Sequence, residues 1–258
     1  MGVCHDERVP RPPEDETPLV GGQVGGAVRV GDTVRRPTGP WTPAVHALLD
    51  HLNGVGLDKI PRVLGIDELG REILTFIPGR GVDVDAEVVR RDVLTDAAGW
   101  LRRFHDAVEG FETDLPWRTS GEGSLICHND PGAYNWIIDG GRFAGMIDWD
   151  MAGPGDPLDD LAFMAWTSVP LYREIPVDEV ARRLDDIADA YGEWGPLTLL
   201  GAVERRMETA IARIGAGQAA GDPGLVHLGT LGEPGRTRSR LDAMVARLPD
   251  IRAALDKG

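Results

Sequence analysis

The most constraining feature of this sequence is a polar loop enclosed by short apolar runs near the middle of the chain. Residues 125–127 and 136–138 are two such runs, and residues 143–147 form a third after a turn signal of one aspartate and two glycines. Apolar runs of this length, bounded by turn residues, predict β-strands. The sequence therefore predicts a strand, a loop over residues 128–135 and a following β-hairpin.

Three side chains that carry oxygen atoms lie at the ends of these predicted strands. Asp130 and Asn135 lie on the loop, and Asp148 directly follows the last strand. Transfer of a phosphoryl group to a hydroxyl needs a carboxylate that orients the hydroxyl and accepts its proton, and further oxygen ligands for the metal that neutralises the phosphates. The stretch contains both, and the spacing His128-x-Asp130-x4-Asn135 is that of the kinase catalytic loop. We expect the hairpin to hold the three oxygen ligands at one site.

The region around this loop resembles the aminoglycoside phosphotransferase family of small-molecule kinases. The resemblance is carried by residues 127–150 and by the segment Gly-Asp-Pro-Leu-Asp-Asp-Leu-Ala at residues 155–162. It is strongest over residues 125–165 and continues in order, more weakly, over residues 19–110. This family is related to choline and fructosamine kinases and shares the protein-kinase-like fold.

The resemblance implies a role for most polar residues of the region. Asp130 would be the catalytic base, Asn135 and Asp148 would be magnesium ligands, and Asp160 would be a buried acid that braces the catalytic loop. His128 is interpreted as a structural residue that packs and hydrogen-bonds to hold the loop. The implied cofactors are ATP or GTP, together with Mg²⁺.

The implied architecture is an α+β, two-lobed protein-kinase-like fold. A small N-terminal lobe with an antiparallel sheet would precede a larger, mainly helical C-terminal lobe that carries the catalytic hairpin. We expect residues 1–18, which are polar and rich in proline, to form a mobile tail. Residues 19–78 would be the nucleotide-binding lobe and residues 79–258 the catalytic and acceptor-binding lobe. A chain of 258 residues is long enough for two lobes.

The predicted N-terminal lobe begins with glycine pairs ahead of a β-hairpin. Gly31-Asp32 is a two-residue turn signal between two alternating strands. The pairs before it, beginning with Gly21 and Gly22, resemble the loop that lies over nucleotide phosphates. Glycine lets backbone N–H groups approach phosphate oxygens because no side chain intervenes.

Kinases place a lysine on the third strand to bind the α- and β-phosphates, and this chain has none there. Its only lysines are Lys59 and Lys257. The role would pass to Arg35 or Arg36, with Arg35 preferred because several relatives of the family carry arginine at this place. An arginine can bind two phosphate oxygens with its planar guanidinium group.

The glutamate that braces the lysine in kinases is also missing. A helix is predicted over residues 42–52, and Val45 and His46 stand at the places that match the glutamate. Either His46 or Asp50 would then brace the arginine, or this lobe would become ordered only with substrate.

Two more strands, over residues 61–67 and 71–77, would complete the small-lobe sheet. By analogy with the family, the backbone of Thr75, Phe76 and Ile77 would bind adenine. A long helix is predicted over residues 86–107 because apolar residues recur on one face.

Later in the chain, residues 178–191, 197–216 and 236–248 predict helices that would form the acceptor side. Residues 215–235, with seven glycines, predict a flexible loop.

Composition limits the partners. The formal net charge of −15 argues against nucleic acid, because binding to phosphates requires a basic surface. The charge favours a cationic acceptor, or it simply reflects an acidic, solubilising surface.

Two cysteines make neither a disulfide framework nor a zinc site. With no apolar run of eighteen residues, we expect a soluble cytoplasmic protein without a membrane partner. The oligomeric state is left open.

Three other functions are compatible with parts of the sequence. The acceptor could be a primary metabolite, such as an amino alcohol, a sugar or an amino acid derivative, since residues that line an acceptor site follow no motif. A protein kinase is disfavoured because no Ala-Pro-Glu signature follows Asp148. A nucleotide-binding regulatory module without catalysis is favoured by the missing lysine and glutamate, while the intact Asp130, Asn135 and Asp148 argue against it.

Overall fold

The computed structural model describes residues 16–19, 26–118, 121, 123 and 125–257. The strands are β1 (Thr17–Pro18), β2 (Val28–Val30), β3 (Thr33–Pro37), β4 (Val63–Ile66), β5 (Arg71–Thr75), β6 (Arg80–Gly81), β7 (Leu125–Cys127), β8 (Trp136–Asp139), β9 (Arg142–Met146) and β10 (Gly153–Gly155). The α-helices are α1 (Thr42–Gly54), α2 (Arg91–Ala107), α3 (Pro157–Ser168), α4 (Val177–Tyr191), α5 (Pro196–Ala219), α6 (Pro223–Thr230) and α7 (Gly235–Leu255). Short 3₁₀ turns cover Ala133–Asn135 and Trp149–Met151.

These elements form two compact units. The first unit consists of the described residues up to Thr38 together with Val63–Phe76, and the second consists of Gly39–Arg62 and the chain from Ile77 onwards. Helix α1 belongs to the second unit because its region is bonded to α2. His51 Nε2 donates to the carbonyl of Ala107 at 2.9 Å, and Trp100 Nε1 donates to the carbonyl of Asp58 at 2.8 Å. The lobe boundary at residue 78 stays a prediction.

The first unit is an antiparallel sheet with the strand order β1-β2-β3-β5-β4. Strands β2 and β3 form the predicted hairpin, with Val30 opposite Thr33 and with Gly31 in the left-handed conformation that its turn requires (φ 58°). Strands β4 and β5 form the second predicted hairpin, and Arg36 on β3 lies opposite Glu72 on β5.

The core of the second unit packs α2 against the predicted catalytic hairpin. Trp100 and Phe104 of α2 are buried, and their rings lie 5.6 Å from Phe143 and 5.2 Å from Trp149, respectively. Strands β8 and β9 pair with Trp136 opposite Met146, and β7 pairs with β10. The strands that the sequence predicts around the loop are thereby confirmed.

Helix α2 begins at Arg91, so the predicted start at residue 86 is wrong. The Asp83 side chain accepts hydrogen bonds from the N–H groups of Asp85 and Ala86 and closes a separate turn. Arg90 then has extended backbone angles, and Val89 is buried outside the helix, where its carbonyl accepts from Arg183. The apolar periodicity that includes Val89 marks burial here rather than helix.

The glycine-rich segment 215–235 is largely helical, so the prediction of a flexible loop is wrong. Asp222 caps α6 by accepting from the N–H of Leu225 at 2.9 Å. The amide of Gln218 donates to the carbonyls of Leu225 and Glu233 at 3.1 and 2.8 Å. These side-chain bonds compensate for the weak helix propensity of glycine. None of the described helices is both long and apolar enough to cross a membrane.

Arg247 bonds several backbone carbonyls of the segment that joins α3 to α4. Arg247 on α7 donates to the carbonyls of Leu171 at 2.9 Å and Ile175 at 2.6 Å, and also to that of Arg173. Arg247→Met is expected to lower the free energy of unfolding by about 2–3 kcal/mol, because carbonyls bonded to a charged donor lose it. Urea unfolding measures the change.

The matched control is Arg252→Met on the same helix. Arg252 is 53% exposed and lies 3.8 Å from Glu204. Its replacement should therefore lower the free energy of unfolding by less than about 1 kcal/mol. Equal changes for the two variants would show that the carbonyl contacts of Arg247 do not stabilise the segment.

Candidate active site

The loop between β7 and β8 is bonded to one buried carboxylate. The backbone N–H groups of His128 and Asn129 each donate to Asp160 at 2.8 Å, and Asp160 is only 1% exposed. Asn129 has a positive φ of 62°, and its side-chain amide donates to the carbonyls of Met151 and Gly153 at 3.0 and 3.1 Å. Asp160 therefore holds the start of the loop, and Asn129 joins the loop to the segment that follows Asp148.

Two buried histidines support this arrangement. His105 Nε2 lies 3.1 Å from Asp160 Oδ2, and its Nδ1 lies 2.8 Å from the hydroxyl of Tyr191. His128 Nε2 donates to the carbonyl of Ile147 at 3.2 Å, and its ring packs on Trp149 with the centroids 4.6 Å apart. Burial lowers the pKa of His128, so its imidazole is neutral. These contacts suit the structural role that the sequence predicts for His128.

Asp130 is half-buried and accepts hydrogen bonds on both carboxylate oxygens. The hydroxyl of Tyr134 donates to Oδ1, and Asn135 Nδ2 donates to Oδ2 at 3.1 Å and to the Asp130 carbonyl at 2.9 Å. Burial first, and the negative charge of Asp148 with it, raise the pKa of Asp130 to about 7, against the lowering effect of the hydrogen bond from Tyr134. A carboxylate with a pKa near neutrality is well matched to general base catalysis at physiological pH.

Asp148 follows β9 in a left-handed backbone conformation, with φ 63° and ψ 65°. This conformation is disfavoured for a residue other than glycine, and such residues are concentrated at functional sites. The N–H of Ile147 donates to the backbone carbonyl of Asn135 at 3.0 Å. The residue before Asp148 is therefore bonded to the end of the catalytic loop, as the predicted hairpin scaffold requires.

The donor set of this site is suited to magnesium. Asn135 and Asp148 offer amide and carboxylate oxygens, which are the hard ligands that Mg²⁺ prefers. Asn135 is buried at 6% exposure, and because its Nδ2 faces Asp130, its Oδ1 is the atom left to meet a cation. The residues present therefore fit the metal that the resemblance implies.

A second group of potential metal ligands is structural. His105, Cys127 and Asp160 have ligand atoms within 4.8 Å of one another. Burial and the neighbouring acids, Asp160 first among them, raise the pKa of Cys127, as expected for a small buried residue of the core. His105 and Asp160 are already bonded to each other.

Sequence reasoning missed two residues that affect Asp130. Tyr134 lies inside the Asp130-x4-Asn135 spacing, so its proximity to the base was a signal that could have been used. Arg206 on α5 lies with its guanidinium carbon 4.3 Å from the ring centroid of Phe163, and its charge lowers the pKa of Asp130. Burial in turn lowers the pKa of Arg206. No motif spacing connects Arg206 to the loop.

On the first unit, the two candidate arginines have different surroundings. Arg36 forms an ion pair with Glu72, which is 1% exposed, so the neighbouring strand β5, and neither His46 nor Asp50, supplies the carboxylate of this ion pair. Arg35 has a buried Nε with no hydrogen-bond partner among the described residues.

The other predicted nucleotide contacts are residues 75–77 and the glycine pair Gly21 and Gly22. Thr75 ends β5 opposite Thr33, and the N–H of Phe76 donates to the carbonyl of Asp32 at 2.9 Å. Ile77 begins the main segment of the second unit. Gly21 and Gly22 lie outside the described residues.

Comparison with known proteins identifies relatives of the chain. Residues 117–207 match the model of the Phosphotransferase enzyme family. A trifolitoxin immunity protein from Rhizobium leguminosarum bv. trifolii is 36% identical over 180 residues, which cover 66% of this chain and 67% of the relative.

Solved structures with similar folds include a kinase family protein and a phosphotransferase. A choline/ethanolamine kinase family protein from Mesorhizobium loti has a TM-score of 0.57 at 17% identity, covering 89% of this chain and 92% of its own. The GDP complex of aminoglycoside 2'-phosphotransferase-IIIa has a TM-score of 0.56 at 15% identity, covering 90% of this chain and 93% of its own. The α+β, protein-kinase-like fold class predicted from the sequence is confirmed.

Proposed function

The chain belongs to the aminoglycoside phosphotransferase family of small-molecule kinases, and from this premise we propose that it transfers the γ-phosphoryl group of ATP or GTP to a hydroxyl of a small molecule. The observation that carries the proposal is the environment of Asp130. Its carboxylate is oriented by Asn135, has a pKa of about 7 and lies on a loop that Asp160 holds in place. Such a group can orient a hydroxyl and accept its proton.

The proposed reaction uses the chain's residues as follows. Asp130 accepts the proton of the acceptor hydroxyl while the acceptor oxygen bonds the γ-phosphorus and the bond from that phosphorus to the nucleoside diphosphate breaks. Asn135 and Asp148 would hold magnesium, whose charge offsets that of the phosphates when it is bound. The positions of Asn135 and Asp130 are coupled, because the Asn135 amide bonds both the backbone and the side chain of Asp130.

We propose that Arg35 binds the nucleotide phosphates that are not transferred. Arg36 is engaged with buried Glu72, whereas the Nε of Arg35 lacks a partner among the described residues. Gly21, Gly22 and the backbone of residues 75–77 remain proposed nucleotide contacts, and residues 19–78 the proposed nucleotide-binding lobe.

Replacing the two arginines separately tests this assignment. Arg35→Met is expected to raise the KM for nucleotide about tenfold, because a charged donor to the phosphates is lost. Arg36→Lys keeps the charge beside Glu72 and should leave the KM within about twofold of wild type. Steady-state kinetics with varied nucleotide measure both values, and the reverse order of effects would assign the phosphates to Arg36.

We propose that the acceptor is a cationic, antibiotic-like molecule. The relative from Rhizobium is named as an immunity protein, one similar fold is an aminoglycoside phosphotransferase, and the chain has a net charge of −15. Asp156 and Asp159, at the start of α3, are exposed and available to a cation. Because the reaction consumes ATP or GTP, the proposed location is the cytoplasm.

The test is nucleotide consumption by the purified protein with magnesium. ATP and GTP are each supplied with a panel of aminoglycosides, peptide antibiotics, nucleosides, sugars and amino alcohols, and Asp130→Asn is the control. Turnover with one class of acceptor that disappears in the control is the expected result. Turnover with an amino alcohol or a sugar alone would move the proposal to a primary metabolite. No difference between the wild type and the control on any compound would contradict the proposed function.

A further inference from the structure

Tyr134 places a hydroxyl on the oxygen of the proposed catalytic base. Its phenolic O–H donates to Asp130 Oδ1, while Asn135 Nδ2 donates to the other oxygen at 3.1 Å. An acceptor hydroxyl that gives its proton to Asp130 must first make the same type of bond to this carboxylate. Tyr134 therefore makes the contact with Asp130 that the acceptor would make.

The ring of Tyr134 is held in this position by its neighbours. A Cβ atom at residue 132 would lie 2.6 Å from the Tyr134 ring, so Gly132 leaves the space that the ring occupies. The N–H of Ala133 donates to Thr167 Oγ1 at 2.9 Å and attaches the 3₁₀ turn to α3. Phe163 of α3 meets the ring edge-on at 6.3 Å between centroids. The hydroxyl is therefore directed at Asp130 by packing as well as by its own hydrogen bond.

Tyr134 is nevertheless reachable from solvent. It is 36% exposed, and its hydrogen bond to Asp130 is one that an acceptor hydroxyl could replace. The guanidinium carbon of Arg206 lies 4.3 Å from the ring centroid of Phe163, the residue whose ring contacts Tyr134.

We propose that Tyr134 is a positioning residue that occupies Asp130 in place of the acceptor hydroxyl until an acceptor displaces it. This inference rests on the proposed kinase function. Without Tyr134, a water molecule on Asp130 could give its proton to the carboxylate as its oxygen bonds the γ-phosphorus, which would release nucleoside diphosphate and inorganic phosphate. By holding Oδ1, the Tyr134 hydroxyl restrains this loss of nucleotide when no acceptor is bound.

The first test uses Tyr134→Phe, which keeps the ring and removes only the hydroxyl. With magnesium, with ATP or GTP and with water as the only acceptor, the variant is expected to release inorganic phosphate about tenfold faster than wild type, the factor that one lost hydrogen bond allows. The matched control is Tyr172→Phe, which removes a phenolic hydroxyl on the segment between α3 and α4 and should leave the rate unchanged. An equal or lower rate in Tyr134→Phe would overturn the inference.

The second test observes the contact without nucleotide. In the full chain labelled with ¹³Cζ-tyrosine, the Tyr134 resonance is identified by its loss in Tyr134→Phe. It should shift in Asp130→Asn, because the phenol then faces a neutral amide. A resonance that stays in place would overturn the inference.

The two tests separate failure of the inference from failure of the proposed function. If wild type phosphorylates a compound of the panel but Tyr134→Phe hydrolyses no more nucleotide, the inference fails and the kinase function stands. If no protein turns over nucleotide with any acceptor or with water, the proposed function fails and the inference fails with it.

Discussion

Replacing Asp130 with asparagine is expected to lower kcat for phosphoryl transfer by about 10²–10⁴-fold, the contribution of a positioned general base. Asparagine keeps the size of the side chain and an oxygen that can accept from Tyr134, but it cannot take the proton of the acceptor. The KM for nucleotide should change little, since Asp130 is proposed to contact the acceptor. Initial rates at saturating nucleotide and acceptor measure the loss.

Asp139→Asn is the matched control, because it makes the same change at an exposed residue at the end of β8. It should retain the full rate. A kcat for Asp130→Asn within about threefold of wild type would exclude Asp130 as the base and would leave phosphoryl transfer to positioning and charge alone.

The same substitution is expected to stabilise the protein in metal-free buffer. Burial raises the pKa of Asp130 to about 7, so the folded protein binds this proton more tightly than the unfolded chain between pH values of about 4 and 7. The stability contribution of Asp130 therefore falls as the pH rises through this window. Asp130→Asn should raise Tm by roughly 3–6 °C at pH 8, with a gain that fades toward pH 4. A lower Tm for Asp130→Asn than for wild type at pH 8 would show that the charge of Asp130 does not destabilise the folded protein.

Replacing Asp160 with asparagine is expected to lower the free energy of unfolding by about 3–5 kcal/mol, the cost of breaking a buried charged network. Asp160 accepts from the N–H groups of His128 and Asn129 on different oxygens and also contacts His105. An amide would place a donor against one of these N–H groups, and no water can satisfy it at 1% exposure. Urea unfolding measures the change.

Asp189→Asn is the control for Asp160, since it removes the same charge from an exposed face of α4. Asp189→Asn should lower the free energy of unfolding by less than about 0.5 kcal/mol. If Asp160→Asn costs no more than this control, the bonds to the loop do not stabilise the fold. Activity should fall in Asp160→Asn even where the protein is folded, because Asp160 positions the loop that carries Asp130.

The strands around the catalytic loop could be predicted because their signals are local. Short apolar runs and a turn of Asp139 with two glycines define β8 and β9 without reference to the rest of the chain. The same holds for the hairpin at Gly31, where the turn residue dictates the connection. The order of Asp130, Asn135 and Asp148 on these elements followed from their positions alone.

The errors in the helical regions come from side-chain bonds to residues outside the local pattern. Val89 satisfies a helical apolar period, yet its carbonyl is bonded to Arg183, a residue 94 positions later, and the chain there is extended. Gln218 makes a glycine-rich segment helical through bonds to Leu225 and Glu233. Propensity is a weak prior that such contacts override.

The sequence by itself determined the family and the set of oxygen-bearing side chains on the loop, because the spacing between Asp130, Asn135 and Asp148 is a property of the chain. Only the tertiary structure decided what surrounds these groups. Glu72 beside Arg36, Arg206 near Asp130 and the phenol of Tyr134 on its carboxylate depend on where separate strands, helices and side chains come to lie. The physical reason is that the pKa and accessibility of a group are set by burial and neighbouring charge, which exist only once the chain has folded.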